Sequence, residues 1–234
     1  MNIFMLAIIA ITTYNKETIP TEVVDSSISL LKKSNFSISR NLYPDKYYML
    51  PNYNAKFYTA GDLSQLFFKK QVAFRTADNS LIAENDGGIL TVTSNHFQYK
   101  SNKVAVADSS ASDLERELEN LGINMDGAVY DTKEKLFYRM YNKANLFNMS
   151  IQAKLDKEGN ICYVNAYWPK ELSAGESKRF SFLESAVRMK DLFPDGGAIE
   201  KVELGYSLHS IGGEKYTFVP AWRVKVDGEL RIVE

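Results

Sequence analysis

Apolar and polar positions divide the chain into a short apolar start and a long mixed remainder. Residues 1–14 are apolar almost throughout, whereas the later segments alternate apolar and charged residues. A helix of this length would cover about 21 Å, less than the roughly 30 Å hydrocarbon core of a bilayer. No Lys or Arg precedes the run and no small-residue cleavage motif follows it. We expect the outer part of an N-terminal transmembrane anchor whose first turns lie upstream, or a signal-like segment; a buried core element is the third interpretation.

Residues 22–33 have the periodicity of an amphipathic helix. Val24, Ile28 and Leu31 are spaced i, i+4 and i+7, with Val23 and Leu30 widening the stripe. Acidic residues near the start of this segment and lysines near its end match the helix dipole. A shorter helix is predicted over residues 61–68, with Asp62 as its N-cap.

Two further helices carry capping-box signals. Ser112 and Glu115 form a capping box, Leu114, Leu118 and Leu121 are spaced i, i+4 and i+7, and Gly122 stands where that helix would end. Ser181 and Glu184 open the second one. Its apolar stripe at helical spacing consists of Phe182, Ala186, Met189 and Phe193.

Alternating or β-branched segments bounded by turn residues predict strands between the helices. They are residues 72–76, 80–84, 89–93, 128–130, 135–141, 149–155, 161–168, 202–208, 216–226 and 230–232. Asp227-Gly228 favours a type I′ hairpin turn between the last two. Residues 35–54 predict short extended pieces, which Pro44 and Pro51 interrupt.

A helix followed by antiparallel strands therefore occurs at least twice, and loosely a third time near the start. This order predicts an α+β fold of curled antiparallel sheets, each with a helix packed on one face, with cystatin- or PepSY-like character. We expect three parts: the anchor or signal-like segment (1–14), an N-terminal α+β subdomain (15–108) and a C-terminal α+β subdomain with two helix-plus-strands units (109–234).

Composition narrows the class of function. With 45% hydrophobic and 24% charged residues, the 234-residue chain is globular, and its formal net charge of -1 disfavours nucleic-acid binding. The single cysteine, Cys162, lies in an apolar run and is expected to be a buried strand residue.

Catalytic motifs are missing from the sequence. His96 and His209 have no second His or Cys at ligand spacing, and the glycine pairs belong to neither a dinucleotide-binding nor a Walker motif. We therefore expect no catalytic residue, no metal site and no cofactor.

Short motifs support one family resemblance. The apolar start, the following residues 19–25, and the closing segments 202–206 and 218–224 resemble the YycI family, regulators of the YycFG (WalRK) two-component system in Gram-positive bacteria. The segment 220–224 also resembles terminal strands of PepSY- and YpeB-like domains. The resemblance implies a single-pass cell-membrane protein with most of the chain extracytoplasmic, and with a YycH-like protein and a sensor histidine kinase as partners. The membrane residues that it implies are Ile3, Phe4, Leu6, Ile8, Ile9 and Ile11.

Three functions follow as expectations. The first is a non-enzymatic, membrane-anchored regulator of the sensor kinase that acts through protein–protein contacts, with a homodimer left open. The second is an extracytoplasmic PepSY-like binding module for a peptidase, a peptide or a cell-wall fragment. The third is an enzyme such as a cell-wall hydrolase, for which scattered carboxylates are the only support.

Overall fold

The computed structural model describes residues 18–106, 109–213 and 215–234. Helix accounts for 20% of the described residues and strand for 50%, so a mixed helix-and-strand class, as the sequence predicts, is confirmed. The chain forms two compact units. Among the described residues, the first contains residues 18–52, Ala174–Ser207 and Val219–Glu234; the second contains Tyr53–Ser173 and Leu208–Phe218.

The described residues form the following helices and strands, each type numbered in chain order. The helices are α1 (Thr21–Lys33), α2 (Ala60–Phe68), α3 (Ala111–Leu121), α4 (Phe182–Ala186) and α5 (Met189–Leu192). The strands are β1 (Phe36–Ser37), β2 (Tyr48–Phe57), β3 (Arg75–Ala77), β4 (Ser80–Asn85), β5 (Gly88–Val92), β6 (Phe97–Ser101), β7 (Ala128–Asp131), β8 (Leu136–Tyr141), β9 (Ala144–Leu155), β10 (Ile161–Tyr167), β11 (Pro169–Phe180), β12 (Gly197–Ser210), β13 (Tyr216–Val226) and β14 (Glu229–Val233).

The first unit is assembled from segments that are distant in sequence. Helix α1 packs on α4, and β1 pairs in parallel with the start of β12, where Phe36 lies opposite Gly197. Strands β13 and β14 form a hairpin through Asp227 and Gly228, whose φ angles of 46° and 85° suit the predicted type I′ turn. Its core includes Val24, Leu31, Phe182, Met189, Trp222 and Val224.

The second unit contains an antiparallel sheet in the order β3-β4-β5-β6-β10-β9-β8-β7. Helices α2 and α3 pack on one face of this sheet, because their apolar stripes and the inward-facing strand residues share one core. That core includes Leu63, Leu114, Leu118, Leu90, Ile151 and Val164.

The expected subdomain boundary near residue 108 lies inside the second unit. The difference arises because the units are defined by long-range pairing. The parallel pairing of β1 with β12 and the packing of α1 on α4 bring an early segment together with a late one. A boundary drawn from local composition does not contain this information.

The predicted helices form, but several of their ends differ. The helix with Asp62 is capped by Thr59, and Asp62 is instead the third helical residue of the capping box. Helix α3 is capped by Ser110, with Asp113 donating its backbone N–H to the Ser110 hydroxyl, so Ser112 and Glu115 are not the capping pair. Gly122 ends α3 in the left-handed region, as predicted, with φ 100°.

The stripe predicted after Ser181 folds as two short helices, α4 and α5, instead of one. Ser181 occupies the N-cap position of α4, but its side chain makes no capping hydrogen bond, so the capping-box prediction is wrong there. A second difference concerns prolines: β2 runs through Pro51, although the sequence analysis places a break at this residue. Strand β11 was not predicted, because most of its residues are polar and exposed.

Candidate protein-binding groove

The six residues expected to contact the membrane or a partner helix belong to residues 1–17, which lie outside the described part of the chain. They are Ile3, Phe4, Leu6, Ile8, Ile9 and Ile11. Within the described residues, no helix is both long and apolar enough to cross a membrane.

The first unit carries an apolar groove between α1 and α4. The groove has a volume of about 250 Å³. Leu30 of α1 forms one wall, and Leu183 with Val187, one helical turn apart, forms the other. Its floor consists of Leu31, Phe36 and Ala186.

Two side chains of this groove are unusually exposed for their type. Leu30 is 60% exposed and Val187 is 78% exposed. The apolar stripe of α1 is wider than the core requires, because Val24, Ile28 and Leu31 already face inward while Leu30 does not. Grouped apolar exposure of this kind is typical of protein interaction sites.

The rim of the groove is basic. Lys33 at the end of α1 and Lys190 of α5 line it. Lys32 and Arg188 are exposed neighbours along the chain. An apolar floor with basic residues at its rim favours an apolar segment flanked by acidic residues.

A hydrogen bond and an aromatic contact hold the floor of the groove in place. The hydroxyl of Tyr43 donates to the Ser27 hydroxyl at 2.6 Å beneath α1. Burial raises the pKa of Tyr43, whereas the hydrogen bond to Ser27 acts in the opposite direction. Phe36 meets Phe193 edge-to-face, with 6.5 Å between ring centroids. A rigid floor lowers the entropy that a partner must lose to bind.

The residues considered for chemistry do not converge on one site. His96 lies beside Asn165, with 2.8 Å between Nε2 and Oδ1, and Cys162 is buried, which raises the pKa of its thiol. Among the described residues, no group of three or more His, Cys, Asp or Glu is arranged to hold a metal ion.

Where the pKa of a carboxyl group departs from its ordinary value, it is lowered. Burial acts to raise the pKa of Asp62, Asp156 and Glu203, but hydrogen bonds and neighbouring cationic groups outweigh it. Each of the three has a Lys or Arg within salt-bridge distance. Their environment therefore favours the ionised form, and a general acid at neutral pH needs the opposite shift.

The groove was only partly visible in the sequence. Leu30 widens the apolar stripe of α1 beyond the core positions, and this excess width is a signal that an exposed apolar site leaves in a sequence. Val187 gave no such signal, because it lies outside the predicted stripe. Its position opposite Leu30 depends on the packing of α1 on α4.

Comparison with known proteins adds little to these observations. No family model and no curated protein matches the chain. Among solved structures, the chain is similar to an uncharacterized protein from Eubacterium rectale ATCC 33656, with 11% identity and a TM-score of 0.45. That similarity covers 82% of this chain and 84% of the other.

Proposed function

We propose that the protein is a membrane-anchored, non-enzymatic regulator that binds a partner protein through the groove between α1 and α4. Residues 1–14 act as the anchor in this proposal. A YycH-like protein and a sensor histidine kinase are the partners, and the folded part has a PepSY-like character outside the membrane. The observation that carries the proposal is the exposure of Leu30 and Val187 across one apolar groove.

The groove is suited to an amphipathic helix. Such a helix inserts apolar side chains at i, i+3 or i+4 into a groove between two helices. Complete burial of a Leu or Val side chain contributes about 1.5–3 kcal/mol. Lys33 and Lys190 would then meet acidic residues at the edges of the partner helix.

Regulation follows from differential binding. A regulator that binds one conformation of a kinase better than another shifts the population toward the preferred state. A preference of about 1.4 kcal/mol changes the ratio of the two states tenfold. Burial of one groove side chain in only one kinase state supplies a preference of this size.

The experiment that tests the proposal is an affinity capture from detergent-solubilised native membranes, followed by mass spectrometry. The bait is the tagged full-length protein, compared with the double variant Leu30→Asp/Val187→Asp. Val104→Asp is the matched control, because Val104 is 77% exposed and lies in the second unit. We expect the parent and the control to recover a sensor histidine kinase with a YycH-like protein, and the double variant to lose both.

A second bait separates the groove from the anchor. It carries a foreign transmembrane segment in place of residues 1–14 and keeps the groove intact. Partners retained by this bait and lost by the double variant would support binding through the groove. Recovery of the same partners by the double variant would contradict the proposal.

A further inference from the structure

A row of carboxamide side chains crosses the sheet of the second unit on the face opposite α2 and α3. Asn165 of β10 lies directly opposite Gln98 of β6 on one side and Gln152 of β9 on the other. Directly opposed residues have Cβ atoms about 4.5–5.5 Å apart. We call these three residues the amide row.

The amide row has unused hydrogen-bonding capacity. Asn165 Oδ1 is 2.8 Å from His96 Nε2. In the described part of the chain, the side chains of Gln98 and Gln152 make no hydrogen bond, and both remain accessible to solvent. Each free carboxamide offers two donors and an acceptor to a ligand.

Tyrosine rings flank the amide row on both sides. Tyr163 and Tyr167 stand two residues before and after Asn165 on β10 and point to the same face, each about 7 Å away along the strand. Tyr167 is 42% exposed and contacts the ring of His96, with 4.3 Å between centroids. The amide row therefore lies between two accessible aromatic rings.

Charge on this face lies at its margin. Lys100 and Lys154 are the cross-strand neighbours of Tyr163, and the Lys154 ammonium lies 5.7 Å from the ring centroid. The amide row itself contains no charged residue. Binding of a nucleic-acid strand rests on neutralising many phosphates, and two ammonium groups at one edge supply little of that energy.

A neutral ligand with many polar groups fits this pattern better. Carboxamides pair with hydroxyl and acetamido groups, which carry both donors and acceptors. The C–H face of a sugar ring is apolar, and its hydrogens meet the negative face of an aromatic ring favourably. An oligosaccharide with N-acetyl groups presents both features in alternation.

We propose that the amide row, together with Tyr163 and Tyr167, binds an N-acetylated oligosaccharide. The amides bind the acetamido and hydroxyl groups, and the two tyrosines pack against sugar rings at either side. This site belongs to the second unit and does not depend on the groove between α1 and α4.

The test is a titration of the full chain in detergent micelles with the β-1,4-linked tetrasaccharide of N-acetylglucosamine. Calorimetry measures the affinity, and the side-chain NH2 signals of ¹⁵N-labelled protein report contact with the carboxamides. The variant Gln152→Ala/Tyr167→Ala removes one amide and one ring. Leu230→Ala is the control, because Leu230 is 49% exposed and lies in the first unit.

We expect saturable binding by the parent and the control, shifts of the Gln98 and Gln152 signals, and at least a tenfold weaker affinity in the double variant with an unchanged melting temperature. Absence of saturable binding, or equal binding by the double variant, would overturn the proposal. Tighter binding of a thymidine oligonucleotide than of the tetrasaccharide would also overturn it, in favour of a nucleic-acid strand.

Discussion

The guanidinium group of Arg139 lies over the indole ring of Trp168, with its central carbon 5.1 Å from the ring centroid. Arg139 is only 2% exposed. Its Nε donates to the carbonyl oxygen of Asp126 at 3.0 Å, and a second nitrogen donates to the carbonyl oxygen of Pro169. Burial disfavours the charged guanidinium group and lowers the pKa of Arg139. The hydrogen bonds to two backbone carbonyl groups compensate part of the free-energy cost of burying this charge.

Replacement of Arg139 by Met should therefore destabilise the protein. A buried carbonyl without a donor costs about 1–3 kcal/mol, and loss of the desolvated charge offsets part of that cost. We expect a net decrease of about 2 kcal/mol in the free energy of unfolding, measured with urea. Arg231→Met removes a charge at an exposed position and should change the free energy little. Equal effects of the two substitutions would contradict this account of Arg139.

The start of α2 allows a second prediction. The Thr59 hydroxyl accepts the backbone N–H of Asp62 at 3.1 Å, and the Asp62 carboxylate accepts the backbone N–H of Thr59 at 2.9 Å. Thr59→Ala removes the first bond and should cost about 1 kcal/mol. Thr59→Ser keeps the hydroxyl and should restore most of that loss in urea unfolding. If Ser fails to restore stability, the methyl group of Thr59 is more important than the cap.

Local patterns predicted the helices of this fold well. The spacing of Val24, Ile28 and Leu31 in α1 and the glycine after α3 are properties of short segments, so one sequence suffices to see them. Cap positions are less well specified by a short segment, because Ser110 and Ser112 are each followed three residues later by an acidic residue. Only Ser112 with Glu115 matches the capping-box pattern, whereas the structure caps the helix with Ser110.

Long-range pairing was not predictable from the sequence. Strand β11 has few apolar positions, and the pairing of β1 with β12 joins residues far apart in the chain. The candidate groove depends on the same kind of contact, since Leu30 and Val187 are far apart in the chain. The amide row likewise requires the strand order β6-β10-β9, which no local motif specifies.

Two glycines in turns of the second unit form a matched pair for a third prediction. Gly127 and Gly159 have φ angles of 74° and 82°, where an L-residue is strained. A Cβ at Gly127 would overlap the carbonyl oxygen of Met140, whereas a Cβ at Gly159 would meet no atom within 4 Å.

Alanine at these two positions distinguishes the free-energy cost of backbone strain from the cost of steric overlap. Both substitutions should cost about 1–2 kcal/mol from the backbone conformation. Gly127→Ala should cost about 1–3 kcal/mol more, because the overlap forces the backbone to move. The measurement is the midpoint of thermal or urea unfolding. A larger effect at Gly159 would show that the turn before β7 tolerates displacement.

The turn between β9 and β10 allows a prediction on pH. Asp156 Oδ1 accepts the backbone N–H groups of Glu158 and Asn160, both at 2.9 Å, and Oδ2 lies 3.2 Å from Lys103 Nζ. Burial acts to raise the pKa of Asp156, but these hydrogen bonds and the ammonium group lower it below its ordinary value.

The stability that Asp156 contributes should therefore vanish in acid. An unfolded Asp has a pKa of about 3.9, so above that value both states are ionised and the contribution is complete. As pH falls through the lower folded-state pKa, the contribution is lost, because protonation then favours the unfolded chain.

Asp156→Asn keeps an oxygen for the two N–H groups and removes the charge. We expect the free-energy difference between parent and variant to be constant near pH 6–7 and to shrink below about pH 4. Asp86→Asn is the control variant, because Asp86 is exposed. A difference for Asp156→Asn that stays constant down to pH 2 would show that ionisation of Asp156 contributes nothing to stability.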